Sequence, residues 1–98
     1  MIKADIANQI TDLLGLPSVH FSTGSSEPKD LFVQIAESLG LNINENQTKP
    51  TIAKQIVEST GELWHPDFES RGSTVTLEGL IAVQSAVEFY LANRPEIN

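Results

Sequence analysis

The sequence predicts a mainly α-helical fold: one small domain over residues 1–98, with about four helices and a short two-stranded pairing. Three observations lead there. Apolar residues recur at steps of three and four in four separate segments, the spacing of a helix that buries one face. Three of those segments share a pattern, in which Gln9-Ile10, Gln34-Ile35 and Gln55-Ile56 are each followed, five residues after the Ile, by a glycine: Gly15, Gly40 and Gly61. A chain of 98 residues with 40% hydrophobic content is long enough for one core and too short for two ordinary ones.

The first helix is expected over residues 3–14, where Ile2, Ile6, Ile10, Leu13 and Leu14 form a stripe and Gly15 is placed to end it. Pro17 opens a loop containing Val19 and Phe21 in alternation with His20 and Ser22, a short extended segment over 18–22. The second helix is expected over 27–39. Ser26 is a suitable N-cap, Glu27 suits the positive end of the helix dipole, and Pro28 is tolerated in the first turn. Its buried face is Leu31, Phe32, Ile35, Ala36 and Leu39. "LNINENQ" is too rich in Asn for a helix interior, so Leu41 and Ile43 read as anchors of a loop. The third helix, 49–60, repeats the device with Thr48 as cap and Pro50 in the place of Pro28, and buries Ile52, Ala53, Ile56 and Val57. Residues 61–75 lack helical periodicity, but Trp64 and Phe68 carry large apolar surfaces that need burial. A strand over 72–76 is expected to pair with 18–22. Thr76 then caps the last helix, 77–92, with Glu78 in its first turn. Leu77, Leu80, Ile81, Val83, Val87, Phe89, Tyr90 and Leu91 cover more than half of its circumference, which marks either the central helix of the domain or half of a partner interface.

Composition excludes several functions. There is no cysteine, so no disulfide framework and no thiolate site, as expected of a cytoplasmic protein. The longest apolar run, "LIAVQSAVEFYLA", is about two-thirds of a bilayer span and contains Glu88. "MIKADIANQ" has no apolar signal region. His65, Asp67 and Glu69, with Glu62 upstream, are the only crowd of metal-ligand types, and they match neither zinc nor calcium spacing. Neither His20 nor His65 is tied to a nucleophile motif. No metal, cofactor or catalytic residue is therefore expected, and the chain alone does not read as an enzyme. A net charge of −7 repels polyanions at long range and counts against indiscriminate nucleic-acid binding.

The sharpest lead is the repeated helix start. "SSEPKD" and "QTKPT" each place a hydroxyl and a lysine, Lys29 or Lys49, beside the positive end of a helix dipole, where backbone N–H groups favour phosphate. Lys54 and Arg71 are available as support. The competing explanation is that Ser26 and Thr48 only cap and the lysines only solubilise.

Residues 31–59, "LFVQIAESLGLNINENQTKPTIAKQIVES", resemble SAP-type DNA-binding modules, in which an apolar helix ends in Gly-Leu and a "GTK"-like turn starts a second helix. Gly40-Leu41, Thr48-Lys49, Ile52 and Ile56 carry the likeness, with Gln47 standing where the glycine of the turn is expected. "TKPTIAKQIVESTG" and "SRGSTVTLEGL" are similar to segments of small N-terminal helical regions of bacterial restriction endonucleases. The resemblance implies contact with duplex DNA through Thr48, Lys49 and the start of the third helix, with Lys29 and Arg71 as neighbours. It also implies an N-terminal accessory domain that recognises or docks DNA for a nuclease, without catalysing. The candidate DNA-binding set is Ser26, Lys29, Gln47, Thr48, Lys49, Lys54, Gln55 and Arg71, with base reading assigned to Gln47, Gln55 or Arg71. The alternative is an acidic interaction module that docks a protein partner, or a second copy of itself, through residues 77–91.

Overall fold

Four helices form where the apolar spacing predicts them: α1 (Lys3–Leu14), α2 (Lys29–Ser38), α3 (Lys49–Glu58) and α4 (Leu77–Ala92). Between α3 and α4 lie a 3-10 turn, Pro66–Phe68, and two short strands, β1 (Glu69–Ser70) and β2 (Thr74–Val75). The computed structural model describes residues 3–18, 28–44, 46–70 and 74–93. β1 and β2 are antiparallel, with Glu69 opposite Val75 and Ser70 opposite Thr74. The strand at the start of α4 is therefore present, but its partner is the segment just before it. A hairpin closes a far shorter loop than a pairing with 18–22 and loses less chain entropy. Residues 19–22, expected as that partner, lie outside the described residues.

The core is built by one face of each helix. Ile6, Ala7 and Ile10 of α1, Leu31, Phe32, Ile35 and Ala36 of α2, Ile52, Ala53, Ile56 and Val57 of α3, and Leu80, Val83 and Val87 of α4 meet in one cluster with Val75 of β2. Leu41 and Ile43 pack against it from the loop, as anchors should. α4 packs on α1, α3, the 3-10 turn and β2, while α2 packs on α3 and α1. That is the central-helix arrangement. Its outward side still leaves Ile81 and Phe89 44% and 49% exposed.

The shared Gln-Ile…Gly pattern has a stereochemical meaning. Gly15, Gly40 and Gly61 sit at φ of 70°, 77° and 92°, the left-handed region that a residue with a Cβ enters at a cost. At the first two, the next residue's N–H reaches back five residues, Leu16 to the Thr11 carbonyl at 2.8 Å and Leu41 to the Ala36 carbonyl at 2.9 Å. This is the Schellman closure, with a leucine folding back on the helix it ends.

Three local expectations shift. α2 begins at Lys29 rather than 27, because Pro28, at φ −70° and ψ 144°, is its N-cap and lies outside the helix. A proline φ suits both helix and extended chain, so sequence does not separate the two. α3 ends at Glu58 rather than 60, where the hydroxyls of Ser59 and Thr60 donate to the carbonyls of Ile56 (2.6 Å) and Val57 (2.7 Å), competing for the helix's own acceptors. Leu13, placed in the α1 stripe, is 39% exposed, while Thr11 is buried with its hydroxyl donating to the Asn8 carbonyl at 2.9 Å. At about 100° per residue, Leu13 falls about a quarter turn from the centre of the buried face.

Candidate nucleic-acid interface

A helix N-terminus leaves its first N–H groups without partners inside the helix, and those of α3 and α4 are finished in opposite ways. At α4 the N-cap Thr76 accepts from the Gly79 N–H at 3.2 Å and donates its own proton to the Asp67 carbonyl at 2.7 Å. Glu78 adds a negative charge to the first turn. At α3 the N-cap Thr48 has the expected extended backbone, φ −75° and ψ 163°, but its side chain makes no capping hydrogen bond. Its hydroxyl pairs instead with that of Thr51, at 2.9 Å. Among the four helices α3 alone has no acidic residue in its first turn; α1 has Asp5, α2 Asp30 and α4 Glu78. The positive end of its dipole is thus left uncompensated by the helix's own side chains.

Half of the candidate set, Thr48, Lys49, Lys54 and Gln55, belongs to this helix and its N-cap. Ile52, Ala53, Ile56 and Val57 turn inward, so Thr51, Lys54, Gln55 and Glu58 stand exposed on the other side at steps of three and four. Thr48 is exposed at the head of that row, and Lys49 is half-buried beside it. Thr51, which the sequence reading left out, stands in this exposed row one turn beyond Thr48, and that spacing was the available signal. Gln47 is half-buried and structural: its side-chain oxygen accepts from the Asn44 N–H at 3.3 Å and its N–H donates to the Asn44 carbonyl at 2.9 Å. It closes the turn that delivers the chain to α3, where the resembling modules carry glycine. Lys29 is half-buried at the first position of α2, whose N-cap Pro28 has no side chain able to cap. Ser26 and Arg71 lie outside the described residues.

The segment after α3 is ordered by its aromatics. Trp64 stands edge-on to Phe68, with ring centroids 5.2 Å apart, and its indole N–H donates to Glu69 Oε2 at 2.6 Å. His65 Nδ1 accepts from the Asp67 N–H at 3.1 Å and so starts the 3-10 turn. These bonds give Trp64, His65 and Glu69 structural duties. Among the described residues no three His, Asp or Glu side chains converge as a metal site would require. Beside this segment, against α4, lies a cleft of about 400 Å³ between Leu63 and Phe89. These two residues are far apart in the chain, and nothing local in the sequence couples them. Among the described residues no helix is long and apolar enough to cross a membrane. No family model, curated protein or solved structure matches the chain.

Proposed function

We propose that this chain is a duplex-DNA-binding module in which the N-terminal turn of α3 holds a backbone phosphate and its outward row faces the duplex. The observation that carries this reading is the uncapped, acid-free start of α3, followed by Lys49 and Lys54. A phosphate there would accept from main-chain N–H groups, complement the dipole and neutralise lysine charge at once. Thr48 and Thr51 supply hydroxyl donors of the kind that fix register on a phosphate backbone. Gln55, exposed one residue beyond Lys54, is the side chain suited to reading a base edge, by bidentate pairing with adenine. Two helices joined by a loop that ends in Thr48-Lys49 also fit the SAP-like resemblance, and from it we infer a recognition or docking domain that serves a restriction-type nuclease without carrying the chemistry.

The test is a fluorescence-anisotropy titration against a random duplex of about 20 base pairs at two salt concentrations, with the wild-type chain and the Lys49→Glu, Lys54→Glu variant. The expected result is salt-weakened binding whose log-log slope falls by about 2 in the variant, since each phosphate contact contributes about 0.9. Absence of binding at tens of micromolar protein, or an unchanged slope in the variant, would overturn the reading.

A further inference from the structure

The cleft at the C-terminal end of α3 has a shape and a charge of its own. Thr60, Leu63 and Phe68 border it on one side and Ala82, Ala86 and Phe89 of α4 on the other, around about 400 Å³. Leu63 is 84% exposed and Phe89 49% exposed, so neither large side chain is consumed by the core. Ala82 and Ala86 contribute only methyl groups to a lining that also holds Leu63, Phe68 and Phe89, which suits the cleft to one inserted apolar side chain. Among the described residues Glu62 is the one charged side chain that lines the cleft, and the stretch from Thr60 to Ser70 that supplies its border also carries Asp67 and Glu69, with neither a lysine nor an arginine.

We infer that this cleft docks a basic amphipathic segment of a partner protein, one apolar side chain entering between Leu63 and Phe89 while lysines or arginines lie against Glu62 and the acids around it. Apolar anchoring supplies the affinity, and opposite charge steers the encounter and sets orientation. A second copy of the chain is disfavoured as occupant, because it brings the same acidic segments and a net charge of −7. Duplex DNA is repelled from this face for the same reason. The two proposed surfaces occupy opposite ends of α3, whose ten residues span about 15 Å.

The probe is a fluorescein-labelled peptide of about 12 residues with leucines and lysines at helical spacing. Two controls accompany it: one with serine for every leucine, the other with glutamate for every lysine. The expected result is micromolar binding of the first peptide, with each control and the Leu63→Ser, Phe89→Ser variant weaker by about tenfold or more. Leu13→Ser, on another face, leaves the affinity unchanged. Leu63→Ser alone is read in parallel, since a residue so exposed is not needed for folding, and it is expected to weaken binding about threefold or more. Equal affinity for either control, or no loss in the Leu63 variants, overturns the inference. So does a dimer in sedimentation velocity that Leu63→Ser dissolves, for then the occupant is a second copy.

Discussion

The starts of α3 and α4 are the same motif put to different ends. Each has a threonine N-cap with an extended backbone, Thr48 and Thr76, and each follows a structured approach. Thr76 spends its hydroxyl on the fold, bonding the Gly79 N–H and the Asp67 carbonyl, and Glu78 completes the end electrostatically. Thr48 turns its hydroxyl along the surface to Thr51, and the first turn of α3 holds Lys49 and no acid where that of α4 holds Glu78. A threonine before a helix is therefore not evidence of a cap. Its neighbours decide, and here an acid marks the end that serves folding and a lysine the end proposed to take a ligand.

Substitutions can sharpen or break this contrast. The largest effect is expected at Gly79→Ala, where an added methyl would overlap the Phe68 carbonyl oxygen and the Val75 side chain. Because that carbonyl also accepts from the Thr76 N–H at 2.9 Å, the strain falls on the capped end itself. A loss of about 3 kcal/mol in urea-monitored stability is expected, and a loss under about 1 would mean the approach is looser than described. Next come the two threonines as a pair. Thr76→Ala is expected to cost about 1–2 kcal/mol and Thr48→Ala less than about 0.5, since only the first removes a cap. Equal costs would erase the distinction. An effect of opposite sign is expected from Thr48→Asp, which supplies the missing acidic cap and should stabilise by about 0.5 kcal/mol. The same change should weaken DNA binding about tenfold by putting a negative charge where the phosphate is proposed to sit. A stabilised variant with undiminished DNA affinity would separate the helix end from any ligand role.

The periodic elements were legible because their signals are local. Apolar spacing placed α1 and α4 to the residue, and each Gly-Leu pair encoded a helix stop whose hydrogen bonds lie within six residues. Legibility failed where one side chain has two nearby options. The Thr48 hydroxyl can reach the backbone or Thr51, and Pro28 has the same φ inside a helix and before one. It failed again where partners come from distant parts of the chain. Phe68 makes Gly79 irreplaceable, and Leu63 meets Phe89 across a cleft that no window of sequence contains. Strand pairing lay between these cases: residues 74–75 announced a strand, but alternation cannot say which segment lies opposite.

The central position of α4 has a consequence for synthesis. Leu80, Val83 and Val87 complete a core to which α1 and α3 have already committed their apolar faces, yet α4 is the last of these elements to leave the ribosome. At about 5–20 residues per second, Ile6 and Ile10 wait several seconds for the surface that covers them. During that interval the apolar faces of α1, α2 and α3 lack the surface that completes their burial, and a message paused within the codons of α4 would lengthen the exposure.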